Sequence, residues 1–207
     1  KHYCIKSQRV YLNITPLKGV IMIRCEWAGT DPLYIDYHDT EWGVPLHDDI
    51  KLFEFLILEG AQAGLSWITV LKKRDNYRKA MSGFNPFVIA RYGDKDISRL
   101  LSNDGIIRNR LKVEASINNA QAVIEIIQEY GSFSKFLWDC AGGKPIVNKF
   151  KSVADIPPFN SNSEFLSKEL KIRGLKFIGP KIVYSFMQAA GFVNDHITSC
   201  FRYRDLV

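Results

Sequence analysis

The sequence predicts an all-α fold, and three observations carry that expectation. Apolar residues recur at helical spacing, most clearly at Val113, Ile117, Ala120, Ile124 and Ile127. The periodic segments are separated by Gly, Pro and Asn. No segment from residue 22 onward alternates apolar with polar residues as a half-buried strand would. In order along the chain, Asp48 caps a strongly apolar helix running to about Gly60, and a second begins near Leu65 and carries Trp67, Val70 and Leu71. Asn85 followed by Pro86 is an N-cap with proline at the first helical position, opening a short helix through Arg91. Asp94 or Lys95 to Ser102 supplies another. A long helix runs from about Arg108 to Tyr130, where Gly131 stops it, and Ser134 to Cys140 adds a turn or two. The stretch from Gly142-Gly143-Lys144-Pro145 through Pro157-Pro158 is the loop-rich connection. A capping box of Ser161 with Glu164 then starts a helix ending near Arg173-Gly174, and Pro180 begins the next, which ends at Gly191.

Composition narrows the class. A chain of 207 residues buries roughly 70% of its unfolded surface, so its core needs no disulfide staples. Hydrophobic residues at 46% and charged residues at 24% sit near globular averages, which argues against disorder, collagen and coiled coil. Apolar runs such as Phe55 to Leu58 fall far short of the roughly 20 residues of a membrane span, so the expectation is a soluble protein with no membrane partner. Cys4, Cys25, Cys140 and Cys200 are too sparse for a disulfide scaffold and suit a reducing compartment. The net charge of +6 is weak evidence for a nucleic-acid partner, because residues 1–21 hold four basic groups and no acid, leaving 24 basic against 22 acidic groups beyond them. That first segment, with Thr15-Pro16 and no sustained period, reads as an upstream or cloning-derived extension outside the fold, and Met22 as a natural start of the folded domain, residues 22–207.

Four constellations can carry chemistry. Gly174-Leu175-Lys176-Phe177-Ile178-Gly179 joins two helices, leaves open N–H groups at Gly179 and is surrounded by Lys168, Lys171, Arg173, Lys176 and Lys181. It is either an ordinary hairpin with a solvated basic face or a binder of DNA phosphates. Glu59, just before Gly60 at the expected end of its helix, lies where a carboxylate needs a donor or a cation. It is either a rim glutamate paired with Lys or Arg or an acceptor facing a ligand. Trp27, Tyr34, Tyr37, Trp42 and Trp67 flank Glu59 in sequence; they are either core or the flat walls of a site for a heterocyclic, cationic base. His196 and Cys200, four apart and so expected on one helical face, combine with Cys25 and His38 either as two core cysteines and two satisfied histidines or as a closed tetrahedral zinc site. His2 and His47 offer nothing comparable.

Taken together, these residues resemble a known family, 3-methyladenine DNA glycosylase I, the constitutive alkylation-repair glycosylase of bacteria. The carriers are Cys25-Glu26-Trp27, Asp31-Pro32-Leu33-Tyr34 through Tyr37-His38-Asp39, Glu41-Trp42-Gly43-Val44-Pro45, Leu58-Glu59-Gly60 through Ala63-Gly64-Leu65-Ser66-Trp67 to Arg74, Gly105-Ile106-Ile107-Arg108, and Tyr184-Ser185-Phe186-Met187-Gln188-Ala189 to Asn194-Asp195-His196. They run from Met22 to about Tyr203.

The resemblance implies an all-helical helix-hairpin-helix glycosylase fold, with two helical lobes around a base-binding cleft as one arrangement. It places Cys25, His38, His196 and Cys200 on a structural zinc, one per chain, that joins the N- and C-terminal regions. It places Glu59 on the carboxylate that recognises the methylated adenine, and Trp27, Tyr34, Tyr37 and Trp67 on the pocket, with Ser185 bordering it. Leu65, beside Gly64, falls on the loop that fills the gap left by the flipped nucleotide, while Lys176, Gly179 and Lys181 fall on the DNA-binding hairpin. Implied with these are a monomer acting in the bacterial cytoplasm on double-stranded DNA with alkylated bases, hydrolysis to an abasic site, and release of free 3-methyladenine. Asp195 is expected to support His196 or cap a helix rather than stabilise the sugar cation. Three alternatives stand beside this reading: a bifunctional glycosylase and lyase using Lys181, an enzyme for oxidised bases, and a non-catalytic zinc-containing DNA-binding module.

Overall fold

The structure is a computed structural model that describes residues 15–17 and 20–207; the rest of the expected extension, with His2 and Cys4, lies outside the described residues. Thr15–Leu17 (β1) and Val20–Met22 (β2) form an antiparallel ladder with each other. Beyond them the chain is helical. The helices are Pro32–Thr40 (α1), Asp49–Gln62 (α2), Trp67–Leu71 (α3), Arg74–Ala80 (α4), Pro86–Ile89 (α5), Asp94–Ser102 (α6), Arg110–Tyr130 (α7), Phe133–Cys140 (α8), Ser161–Ile172 (α9), Pro180–Ala189 (α10) and Phe201–Asp205 (α11). Ile146–Val147 (β3) and Val193–Asn194 (β4) make a two-residue parallel pair. No helix among the described residues is long and apolar enough to cross a membrane.

The helix starts obey local chemistry. Asp48 accepts from the Lys51 N–H at 2.9 Å, Asn85 from Phe87 at 2.9 Å and Asn109 from Lys112 at 3.1 Å, each satisfying a donor the helix leaves open. α7 stops at Gly131, which adopts φ 88°, the left-handed conformation that ends helices. The start of α9 corrects the sequence reading. Asn160, not Ser161, is the cap; its side chain accepts from the Ser163 N–H at 3.0 Å, and Ser163 Oγ accepts from the Asn160 N–H at 3.0 Å. Glu164 is one residue too far along to close that box, and its own N–H donates to the Asn160 carbonyl. Three helices, α1, α4 and α11, and both small sheets were not anticipated. α1 is opened by Asp31-Pro32, the same cap-then-proline signal as Asn85-Pro86, but its apolar residues are spread around the helix rather than gathered on one face.

α2 is the centre of the molecule. Every residue from Leu52 to Ala61 is buried, as expected of a helix that is apolar all round, and it packs against α3, α7, α8 and α10. Two acids interrupt that run, and their surroundings differ. Glu54 is held by Arg74 and Arg78, and Arg74 also reaches Glu41 at 2.7 Å. Among the described residues, Glu59 has no such partner.

Candidate active site and metal centre

Glu59 lies three residues before the end of α2, which runs on past Gly60 to Gln62. It is 4% exposed, yet nothing among the described residues donates a hydrogen bond or an ion pair to its carboxylate. The donor or cation expected beside it is therefore absent, and burial alone pushes its pKa up to about 8. The carboxyl group faces a cavity of about 290 Å³, near the lower end of the roughly 300–1,000 Å³ typical of small-molecule sites. Trp27, Tyr34, Tyr37 and Trp67 line it, as does Ser185. The rings meet obliquely, with Trp27 5.1 Å from Tyr34 and Tyr37 5.5 Å from Trp67, centroid to centroid. Burial, and secondarily the Glu59 charge, pushes Tyr34 up to about 12 and Tyr37 well above the ordinary phenol range, so both remain neutral O–H donors. The indole Nε1 of Trp67 is buried with no acceptor among the described residues.

Five further residues complete the walls: Trp42, Gln62, Val153, Ile156 and Gln188. Gln62 and Gln188 stand three residues after Glu59 and Ser185 on the same helices, a spacing that shares a face and could have flagged them. Val153 and Ile156 come from the loop-rich connection and carry no sequence signal. Gln188 is fixed by Asp195. That fully buried carboxylate accepts from Gln188 Nε2 at 2.8 Å, Tyr184 Oη at 2.7 Å and Asn148 Nδ2 at 2.6 Å. Asp195 thus neither supports the His196 ring nor caps a helix; it holds one wall of the cavity.

A second cavity of about 570 Å³ shares Glu59, Gln62 and Ser185 with the first and opens past Ala63, Gly64 and Leu65 to Gly179, Pro180, Lys181 and Ile182. Four residues singled out in the sequence, Gly64, Leu65, Gly179 and Lys181, therefore face one groove that leads to Glu59. Gly64 turns the chain there with φ +84°, a conformation side chains disfavour, and leaves Leu65 43% exposed. Lys176 does not reach the groove; it lines a separate recess with Phe177, Lys112 and Asn119. Arg173 is not a free cation either, since it bonds Glu169 at 2.9 Å and Tyr130 Oη at 2.6 Å.

Cys25, His38, His196 and Cys200 come together as expected, all buried, with their ligand atoms within 4.8 Å of one another. Their route differs from the expected one. His196 and Cys200 lie in a turn closed by the Cys200 N–H on the Ile197 carbonyl, not on a helix. Each ring has its outer nitrogen occupied: His38 Nδ1 bonds Asp39 at 2.7 Å, and His196 Nε2 bonds the Trp42 carbonyl at 3.0 Å. The inner nitrogens are then acceptors: His38 Nε2 takes the Cys25 N–H at 3.3 Å and stands 3.5 Å from Cys200 Sγ, while His196 Nδ1 stands 3.6 Å from both thiols. Arg24 fixes Asp39 in turn at 2.8 Å. The hydrogen bond between the two thiols holds Cys200 far below the ordinary thiol range and pushes Cys25 far above it. This donor set can hold a metal ion.

The structure thus joins a ring-lined cavity that holds an unpaired buried carboxyl to a groove flanked by an exposed leucine and a helix N-terminus. Comparison with known proteins identifies the family. The family model described as methyladenine glycosylase matches residues 27–203. DNA-3-methyladenine glycosylase 1 of Escherichia coli (strain K12) is 51% identical over 179 residues, covering 86% of this chain and 96% of that protein. DNA-3-methyladenine glycosylase of Haemophilus influenzae is 48% identical over 177 residues, with the same coverage. Among solved structures, a crystal structure of 3-methyladenine DNA glycosylase I superposes with a TM-score of 0.84 at 54% identity over 86% of this chain and 98% of that one. The Staphylococcus aureus enzyme, described for its recognition of 3-methyladenine, superposes with a TM-score of 0.83 at 43% identity over 86% of this chain and 95% of that one. The chain belongs to the methyladenine glycosylase family.

Proposed function

We propose that residues 22–207 form a monofunctional DNA glycosylase that excises N3-methyladenine from alkylated double-stranded DNA, acting as a monomer and leaving an abasic site. The observation that carries the reading is Glu59, a buried carboxyl in a ring-lined cavity with no donor among the described residues. At pH 7 a group with a pKa of about 8 costs about 1.4 kcal/mol to ionise. A cationic base that brings both a charge and N–H donors returns more than that, about 1.5–3 kcal/mol for a charged hydrogen bond and about 0.5–2 kcal/mol from the ring faces. Neutral adenine lacks the charge. Selection therefore falls on the lesion whose methylation has already made it a leaving group.

In this mechanism α9, the 174–179 connection and α10 act as a helix-hairpin-helix unit, with the N–H groups at Gly179 and the Lys181 ammonium taking DNA phosphates. Leu65 occupies the gap in the duplex, offsetting the few kcal/mol of unstacking. Trp27, Tyr34, Tyr37 and Trp67 enclose the flipped base, Ser185 borders it, and Glu59 accepts from its edge. Water then bonds to the sugar C1′ as the bond to N9 breaks; the base leaves with that electron pair as neutral 3-methyladenine, and the water proton goes to solvent. For the four-residue cluster the reading is zinc. Zn–S and Zn–N bonds of about 2.3 and 2.0–2.1 Å give a tetrahedron with sulfur-to-nitrogen edges of about 3.5 Å, and the thiol and imidazole atoms here stand 3.5–3.6 Å apart. Two thiols and two imidazoles leave no open position, so the ion would supply a structural cross-link only.

The test is chromatography of methylated duplex DNA incubated with the protein. Free 3-methyladenine should appear with abasic sites, and borohydride should trap no covalent adduct. A trapped adduct would mean that Lys181 acts as a lyase, and no released base would leave only a DNA-binding module.

A further inference from the structure

The segment that presents Leu65 to the groove is poorly tied down by its own residues. Ala63, Gly64, Leu65 and Ser66 are all exposed, and their own hydrogen bonds are local: Ala63 N–H to Gly60, Leu65 N–H to the Gln62 carbonyl at 2.6 Å, and Ser66 Oγ with Thr69 at 2.7 Å. A wedge that holds two base pairs apart has to resist their restacking. Among the described residues, one side chain from elsewhere in the fold reaches this segment by hydrogen bonds. Lys112, in the first turn of α7, places Nζ 2.8 Å from the Ala61 carbonyl and 2.8 Å from the Ala63 carbonyl. These carbonyls stand at the C-terminal end of α2, where acceptors are left without helical partners and the dipole is negative, so an ammonium is the matching group.

The same helix holds the other side of the groove. Asn119, seven residues on, donates from Nδ2 to the Lys176 carbonyl at 2.9 Å and accepts the Lys176 N–H at 2.7 Å; Asn118 donates to the Gly174 carbonyl at 2.7 Å. Seven residues of α-helix span about 10 Å at 1.5 Å each, so α7 fixes the distance between its two sets of anchors. The Leu65 segment and the 174–179 connection are thus referred to one rigid element, although 109 residues of sequence separate Leu65 from Gly174.

We infer that Lys112 is a positioning residue for base excision: its ammonium locks the Leu65 segment in register with the phosphate-binding connection, and it touches neither base nor sugar. The inference rests on the glycosylase reading for its consequence, while the tether itself is read directly from the two carbonyl contacts.

The experiment compares Lys112→Met, Lys112→Arg, Leu65→Ala and the double variant Lys112→Met/Leu65→Ala in the full chain. Lys112→Met should release 3-methyladenine from methylated duplex at least tenfold more slowly, while free 3-methyladenine binds within twofold of the parent protein, because the cavity walls are untouched. The double variant should be no more than twofold worse than Leu65→Ala alone, since a tether has nothing to position once the wedge is gone. Lys112→Arg, which also presents donors to both carbonyls, should recover most of the rate. Multiplying losses in the double variant, or an equal loss of free-base affinity in Lys112→Met, would overturn the assignment in favour of general destabilisation. Hydrogen exchange in the absence of DNA is the second arm: amides 63–66 should exchange at least tenfold faster in Lys112→Met, with the rest of α2 unchanged. Unchanged exchange there removes the tether whatever the activity shows. Failure of the parent protein to release any base, with the exchange result intact, would instead sink the glycosylase reading.

Discussion

In the proposed reading, Glu59 trades stability for recognition. Its carboxyl has an ordinary pKa near 4.5, and burial without a partner pushes it to about 8 in the folded chain. Between those values the folded state holds a proton that the unfolded state has lost, so the group favours folding most below about pH 4.5 and that contribution is lost as pH rises through 8. Glu59→Gln, which is neutral throughout, should therefore be the more stable protein, by a margin that grows from pH 5 to pH 8 and reaches a few kcal/mol at about 1.4 kcal/mol per pKa unit. Urea denaturation at a series of pH values checks this, and a constant margin would mean that the carboxyl is ionised and stabilised by something in the cavity. Binding should show the opposite preference. Affinity for a permanently cationic N3-methylated adenine derivative should rise by up to tenfold per unit between pH 6 and 8 as one proton leaves Glu59, then level off. In Glu59→Gln it should fall by about 10- to 100-fold and lose the slope, with binding to undamaged DNA unaltered. Equal losses on both ligands would contradict the role assigned to this carboxyl.

At the scale of the element, what the sequence reveals depends on how local the deciding interaction is. The caps at Asp48 and Asn85 and the stop at Gly131 were legible because each is made by residues within three of the helix end. α9 shows the limit of that legibility: Asn160, Ser161, Ser163 and Glu164 hold two overlapping box patterns one residue apart, and the backbone direction entering the helix selects Asn160. Asn160→Ala should cost about 1 kcal/mol in urea denaturation, whereas Ser161→Ala should stay within about 0.5 kcal/mol; the reverse order would restore the Ser161 cap. The pocket was legible to the same degree. Glu59, the aromatic residues and Ser185 stand in dense segments, but Val153 and Ile156 reach the cavity through a long-range link made by the residues before them: the β3–β4 pairing, the Asn148 side chain on Asp195 and the Thr198 N–H on the Phe150 carbonyl. No spacing in the sequence encodes that link. Lys112 was invisible for a similar reason, since a lysine in the first turn of a helix reads as solvated until the carbonyls of another helix are placed against it.

Across the whole molecule, the Cys25, His38, His196 and Cys200 cluster joins segments more than 150 residues apart, and its geometry decides how the cavity is held. The N-terminal segment that supplies two of these residues also carries Trp27, Tyr34, Tyr37 and Trp42, the rings on one side of the Glu59 cavity. Their own packing is partly onto the cluster: Trp27 stands 5.1 Å from the His38 ring, and Trp42 stands 4.6 Å from His196. An ion held by this cluster would bind the folded chain at a site the unfolded chain lacks, so its binding free energy adds directly to folding. Without the ion, the cluster leaves two buried thiols and two imidazoles to satisfy one another, and His38 is still held by Asp39, itself paired with Arg24 at 2.8 Å, and by the Cys25 N–H at 3.3 Å. Removing the metal by chelation, or replacing Cys25 with Ser, should therefore lower the melting temperature by at least 10 °C and weaken free 3-methyladenine binding at least tenfold. Salt-sensitive binding to undamaged duplex should persist, because the groove lined by Gly64, Leu65, Gly179 and Lys181 contains none of the four cluster residues. Metal content measured alongside, with one ion per chain restored on adding zinc, ties the losses to the site. If the base still binds at full strength in the metal-free protein, the aromatic wall is held by its own packing and the cluster serves stability alone.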